Sequence, residues 1–199
     1  ESNKEYQAQA LELSIVDEIL ELDEAIEKSN VLILAVPVDV ATNMIIDILE
    51  KVDQQIVIDV GSTKVAICEA ASKSRNRARF VATHPMWGTE FRGPMAAVKG
   101  AFADKAVVIC NKQQSDDDAI EFTEKMYGTL GMHLIYMDAL PQDVHAAYVS
   151  HISHITSFAL ANTVLEKERE EDAIFELASG GFDSTVRLAK SNPAMWVPV

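Results

Sequence analysis

Basic residues are scarce in this sequence. Seventeen Lys and Arg stand against 31 Asp and Glu in 199 residues, a formal net charge of −14 at pH 7. Nucleic acid and anionic membrane are bound by clustered cations, so neither is expected as the main partner. An anionic ligand would need a local cationic pocket. Cysteine is scarce too. Cys68 and Cys110 stand far apart and form no metal or redox motif, which predicts two buried, reduced thiols in a cytoplasmic protein. A membrane-length apolar run is also missing. The most apolar long segment, Ile152–Leu165, is broken by His154 and Asn162 and is too short to span a bilayer.

The most specific absence is a glycine turn. A dinucleotide-binding domain opens with a strand, G-x-G-x-x-G, a helix, and a second strand ending in an acid. The 8 glycines here form no such motif. The chain begins Glu1-Ser2-Asn3 and then turns helical, as such a domain does directly after its second strand. The expectation is that the first βα unit lies upstream of Glu1, that both ends are cut ends, and that Glu1 is the acid holding a ribose diol. A solvated chain end is the alternative for Glu1.

What is present is an alternation of helical patterns and apolar runs. Helices are predicted over Lys4–Leu13, over Glu24–Lys28 with Asp23 as cap, from Asp39 to Glu50, over Val65–Ser74, over Met95–Lys99, and from a Ser115 cap to Leu130. Strands are predicted at Val31–Ala35, Ile56–Val60, Arg79–Thr83, Ala106–Cys110 and His133–Met137. This alternation implies βαβ units and a mainly parallel sheet. After Met137 the pattern is helical throughout: Pro141–Lys167, Glu170–Leu177, a break at Gly180-Gly181, then Ser184–Lys190 and Pro193–Trp196. The fold class read from this is an α/β Rossmann-like nucleotide-binding domain in residues 1–138, lacking its first βα unit, followed by an all-helical domain in residues 139–199 that is incomplete at its C-terminus.

Ligands of open α/β sheets sit beyond the carboxyl ends of the strands. Two strand ends deliver Ser62 and His84 to one such mouth. His84 is read in a loop, Thr83 to Glu90, constrained by Pro85 and Gly88. An imidazole suits removal of a proton from an alcohol; surface decoration is the plainer reading. Ser62 is a helix N-cap, an anion-facing hydroxyl, or both, and Lys64 either adds charge there or is solvated. On the long helix Asp143, Ser150 and His154 fall within about 40° of one another, with His151 about 60° further round and His145 opposite. A polar stripe on an apolar helix needs partners or a wet cavity. His151-x-x-His154 has metal-compatible spacing, but no H-E-x-x-H or cysteine ligands accompany it. A polar wall of a cleft between the domains is favoured, and no metal is expected. Arg187 is either paired with Asp183 at i−4 or a carboxylate clamp. The residue types alone leave both open.

Five motifs stand in order along the chain: Leu34–Pro37, Asp59–Lys64, His84–Glu90, Ser150–His154, and Gly180–Phe182 through Arg187 to Asn192–Trp196. In these the sequence resembles the prephenate/arogenate dehydrogenases of tyrosine biosynthesis over essentially its whole length. The resemblance implies a nicotinamide-binding α/β domain and a helical domain that dimerises. It implies oxidative decarboxylation of prephenate to 4-hydroxyphenylpyruvate, or of arogenate to tyrosine, with hydride passing to NAD or NADP. It casts His84 as the histidine that takes the ring-hydroxyl proton and Ser62 as the serine that orients that hydroxyl. Arg187 would bind a substrate carboxylate, with His154 and Thr89 beside the substrate. Ala35, Val36, Pro37, Gly61 and Glu1 would lie along the cofactor. Two departures stand out: Ser153 where the family often has Pro, and Gln142 where it often has His. Ser2 follows Glu1 in place of a basic residue that would hold a 2′-phosphate, which leans to NAD. Another β-hydroxyacid-type dehydrogenase is the competing enzyme reading. A ligand-binding module without turnover is the competing non-enzyme reading.

Overall fold

The structure is a computed structural model that describes residues 1–89, 91–171, 175–177, 180–191, 193 and 196–197. Two short helices lead the chain. α1 (Lys4–Glu12) is capped by Asn3, whose Oδ1 accepts from the amides of Glu5 at 2.9 Å and Tyr6 at 3.2 Å. α2 (Leu22–Lys28) starts earlier than its expected cap. Asp23 lies inside its first turn, where a carboxylate is favoured by the helix dipole, and bonds Lys51 instead.

The continuous apolar runs then build one five-stranded sheet in chain order: β1 (Val31–Leu34), β2 (Ile56–Asp59), β3 (Phe80–Pro85), β4 (Ala106–Cys110) and β5 (His133–Met137). β1, β2 and β3 are parallel, β4 runs against β3, and β5 is parallel to β4. The sheet is mainly parallel, as expected. β2 is buried along its whole length, which is why it carries no alternation. On one face lies α3 (Val38–Lys51), whose Val38, Ala41, Ile45, Ile48 and Leu49 form an inward stripe at helical spacing. α4 (Val65–Ala71) packs beside it, and Phe80, Val57 and Cys68 complete that core. α5 (Asp117–Thr129) covers the other face, laying Ala119 and Ile120 against Ile58, Val81 and Ile109. Cys68 and Cys110 are buried and unbridged. Ser115 does not cap α5: its hydroxyl donates to the Phe80 carbonyl at 2.6 Å, and Asp116 takes the cap position.

Two differences from the sequence reading bear on the site. A loop is expected at His84, but β3 continues through Pro85. The reason is β4: returning antiparallel, it pairs Val108 with His84 and Val107 with Pro85. The histidine therefore sits on a strand between fixed neighbours. The second difference is the long helix. It begins as α6 (Ala139–Ala146), passes through a π-helical turn at Ala147–His151, and continues as α7 (Ile152–Glu171). A π turn inserts one residue, about 100° of rotation, so a uniform angular count from Asp143 to His154 does not hold across it.

Smaller differences have local causes. The helix expected at Met95–Lys99 is one 3₁₀ turn, Pro94–Ala96, entered from Gly93 at a φ of 79° and followed by extended backbone at Ala97. Gly180 and Gly181 do not break a helix; they form the first turn of α8 (Gly180–Val186), a terminus where glycine's freedom matters less than mid-helix. A 3₁₀ turn, Arg187–Lys190, comes next. Of the helical reading at 170–177, α7 reaches Glu171 and a turn covers Phe175–Leu177. Residues 172–174, and 194–195 of the reading at Pro193–Trp196, lie outside the described residues. Among the described residues no helix is long and apolar enough to cross a membrane.

Candidate active site

The floor of the site is a buried polar network at the carboxyl ends of β2 and β3. Asp59 and Lys64 form an ion pair with no side-chain exposure on either partner. Such a pair holds only when further hydrogen bonds serve its remaining donors and acceptors, and several do here. Lys64 Nζ donates to the Thr83 carbonyl at 2.8 Å. The Asp59 carboxylate accepts from the amides of Gly61 at 3.1 Å and Thr83 at 3.3 Å. The Thr83 hydroxyl donates to the Asp59 carbonyl at 2.6 Å and so accepts from the Tyr127 hydroxyl at 2.7 Å. Burial pushes the Asp59 carboxyl up, and Lys64 and the two amides offset only part of that rise. Burial also pushes the Tyr127 phenol up to about 12. Gly61 lets the chain pass over this pair: a Cβ there would stand 3.2 Å from an Asp59 carboxylate oxygen.

His84 lies above this floor, 9% exposed. Its Nδ1 is 2.6 Å from the side-chain nitrogen of Gln142 on α6. That same nitrogen donates to the Ser62 carbonyl at 3.2 Å. A carbonyl only accepts, so the Gln142 atom is the NH₂ and His84 Nδ1 carries a lone pair. The ring proton is then on Nε2. Burial first, then Lys64 and His151, brings the His84 pKa down to about 4. The ring is therefore neutral at neutral pH.

Asp143, the next residue, completes the join. Its two carboxylate oxygens accept from the amides of Lys64 at 2.6 Å and Val65 at 3.0 Å. The first turn of α4 is thus capped from α6 and not by Ser62. Gln142 and Asp143 together fasten the helical part to the turn that carries Ser62.

Around His84 opens a cavity of about 690 Å³. It is lined by Ala35, Val36 and Pro37 beyond β1, by Gly61 and Ser62 beyond β2, and by His84 to Thr89. The helical wall supplies Ser150, His151, His154, Arg187 and Trp196. The structure therefore brings together nine of the residues singled out in the sequence: Ser62, His84, Arg187, His154, Thr89, Ala35, Val36, Pro37 and Gly61. Glu1 is not among the lining residues; its carboxylate turns back to accept from the Asn3 amide at 2.7 Å. Of the predicted polar stripe, Ser150, His151 and His154 face the cavity, Asp143 points to α4, and His145 is exposed. The His154 ring lies 3.7 Å from the Trp196 ring at a 30° tilt, and His151 meets Trp196 edge-on at 5.8 Å. Burial, then His154, lowers the His151 pKa. Among the described residues no group of three or more His, Cys, Asp or Glu is placed to hold a metal ion. A second cavity, about 710 Å³, shares Thr89, His154 and Trp196 and adds Tyr6, Arg92 and Lys190. It brings two further cations to this side of an otherwise acidic molecule.

Three contributors have no role that sequence assigns. Gln142 is visible there only as a departure from a family pattern, and no spacing ties it to His84, 58 residues away. Lys64 is open between charge and solvation, yet it is fully buried. Trp196 closes the fifth motif, and its side-chain type leaves it between core and cleft lining; it lines the cleft.

The family model described as prephenate dehydrogenase, nucleotide-binding domain, matches residues 1–136, and the one described as prephenate dehydrogenase, dimerization domain, matches residues 139–199. The chain belongs to the prephenate dehydrogenase family. It is 31% identical over 189 residues to a prephenate dehydrogenase of Lactococcus lactis, covering 93% of this chain and 51% of that protein. It is 27% identical over 191 residues to a prephenate dehydrogenase of Bacillus subtilis, covering 94% of this chain and 52% of that one. The chain thus spans about half the length of these curated relatives. Among solved structures, prephenate dehydrogenase from A. aeolicus in complex with hydroxyphenyl propionate and NAD+ superimposes with a TM-score of 0.87 at 26% identity, over 98% of this chain and 69% of that one. The Rossmann-like α/β domain followed by a helical domain is therefore the family's fold.

Proposed function

We propose that this chain carries the active site of a prephenate dehydrogenase, which oxidatively decarboxylates prephenate to 4-hydroxyphenylpyruvate in tyrosine biosynthesis. The observation that carries the reading is one cavity holding a neutral strand-borne histidine, Ser62 beside it, and Arg187 and His154 on the opposite wall. His84 takes the proton of the ring hydroxyl at Nε2, the nitrogen not held by Gln142, once the ring has shifted its own proton from Nε2 to Nδ1. Ser62 orients that hydroxyl against the ring. Arg187 supplies the planar fork that grips a carboxylate, with His154 and Thr89 alongside. Loss of the ring carboxylate as CO₂ makes the ring aromatic and drives the reaction forward.

Ala35, Val36, Pro37 and Gly61 form a small, mostly apolar surface on the strand-end side of the same cavity, which fits a flat nicotinamide. These residues would hold NAD there, and the cofactor would supply a hydride acceptor for the hydroxyl-bearing carbon. The bound NAD+ in the A. aeolicus relative supports NAD, with NADP the alternative. Glu1 is proposed to reach the ribose only by turning away from Asn3. We place the boundary between nucleotide-binding and helical parts at residue 138. The apolar side chains exposed on α6 and α7 and the turn between them, Leu140, Val144, Val149, Ile152 and Ile155, support a homodimer through the helical part. The setting is cytoplasmic.

The intact protein given prephenate or arogenate, each with NAD or NADP, should produce the near-ultraviolet absorbance of reduced nicotinamide, with the prephenate and NAD pair fastest. No absorbance from any pair sinks the reading and leaves a binding module. Faster turnover of arogenate would move the substrate to its amino-acid form.

A further inference from the structure

We infer that the Gln142 side-chain amide is a positioning device that sets which nitrogen of His84 carries the proton, turning over to accept from Nδ1 when the ring acts as a base. The second half rests on the dehydrogenase reading; the first does not.

The geometry leads there in three steps. In the observed orientation the Gln142 NH₂ donates both to His84 Nδ1 and to the Ser62 carbonyl. Neutral imidazole has one N–H, so it is on Nε2, and a ring in that form only donates toward a hydroxyl. It has no lone pair there to take a proton. The Nδ1–H form needs an acceptor at Nδ1, and the nearest one belongs to the same amide. Gln142 Oε1 is buried without a hydrogen-bond partner among the described residues. A half-turn of the amide puts Oε1 at Nδ1. It satisfies the orphaned oxygen and forfeits the bond to Ser62. The observed orientation leaves Oε1 unmet, whereas the turned one leaves the NH₂ and the Ser62 carbonyl unmet, so the first is the resting state, and the second is drawn on when the ligand's hydrogen bond and the charge of the imidazolium favour it. In the second orientation the hydroxyl O–H bond breaks, an Nε2–H bond forms, and the imidazolium donates its Nδ1–H to Oε1 in a hydrogen bond. Beforehand Nε2 gives its proton to solvent and Nδ1 takes one from solvent, so the ring stays neutral through the change of tautomer.

The other charged groups around His84 do not supply this acceptor. Lys64, before α4, and His151, on the π turn, are the groups whose charge acts on it, and both oppose a proton on the ring. The Asp59 carboxylate is held by Lys64 and two amides, and Asp143 is spent on the amides of Lys64 and Val65. A carboxylate at position 142 would lock Nδ1–H permanently. The amide permits both forms.

The test is long-range ¹H–¹⁵N correlation on intact protein labelled with ¹⁵N-histidine, which reports the tautomer without turnover. Wild type without ligand should show His84 as Nε2–H. Gln142→Glu should convert it to Nδ1–H and move the acidic limb of the kcat/KM profile upward by about one pH unit or more. Gln142→Met, matched in size but without the bond, should mix the tautomers and lower kcat about tenfold with KM little changed. Wild type already in the Nδ1–H form overturns the inference. So do variants that leave both the tautomer and the pH profile as in wild type. If the protein turns over no substrate, the dehydrogenase reading fails, while the tautomer spectra still decide the role of Gln142.

Discussion

The cavity has two walls, and they are held by different means. On the α/β side Asp59, Lys64 and Thr83 have no exposure and bond one another. On the helical side only His151 and Ser157 are buried between residues 147 and 168, and Tyr148, Val149, Ile152 and Ile155 face outward. One wall is finished by its own chain. The other leaves apolar surface exposed, which the proposed homodimer would cover. The walls meet through two adjacent residues of α6, Gln142 and Asp143. In the proposed reading, chemistry that needs a fixed histidine falls on the closed wall, and recognition of a substrate that must enter and leave falls on the open one.

The largest effect is expected from removing the proposed base from the closed wall. His84→Asn should lower kcat about 10²–10⁴-fold, the usual worth of a general base. It should leave NAD affinity, measured by fluorescence titration, nearly unchanged. Normal turnover by this variant would take the reaction off the α/β wall altogether.

Next in size is the floor itself. Lys64→Met strands a buried carboxylate, and breaking such a pair destabilises by about 3–5 kcal/mol. Chemical denaturation should show this. Adding Asp59→Asn should recover part of the loss, because the uncompensated charge is gone. A fully solvated Lys64 would show neither effect.

The α/β wall is also the legible one. Continuous apolar runs mark its strands, and strand ends locate Ser62 and His84, because burial on both faces leaves a pattern that needs no partner to be read. The reach of β3 through His84 is not legible, since it depends on β4 returning antiparallel. The helical wall reads less well. A π turn has no one-residue signature, so the angular placement of Asp143 against His154 assumes a uniform helix. Long-range bonds such as Gln142 to His84 and Asp143 to Lys64 join residues more than fifty positions apart, and nothing local encodes them. Of the ten residues named from family resemblance, all but Glu1 line the one cavity, because a motif carries its fold context with it.

A third way to separate the walls is pH. The folded His84 pKa of about 4 lies below the ordinary 6.5. Between those values the unfolded chain binds a proton that the folded chain does not. Stability is therefore full above about pH 6.5 and falls as pH drops toward 4. The loss assigned to His84 is on the order of 3 kcal/mol, and burial of His151 acts in the same direction. Thermal melts across this window should steepen accordingly, and His84→Asn should flatten the slope. An unchanged slope in the variant would place the acid sensitivity elsewhere.

The smallest expected effect falls on the join. Asp143→Ala removes the two bonds that cap α4 from α6. Charge-assisted caps of this kind are worth about 1–2 kcal/mol, and thermal denaturation should register a loss of that size. The state of His84 in the same variant distinguishes two divisions of labour. If its tautomer and the pH dependence of kcat/KM are kept, Asp143 only fastens α6, and Gln142 alone tunes the ring. If both change together, the two residues work as one clamp, and the orientation of the Gln142 amide depends on how firmly its helix is held against the turn that carries Ser62.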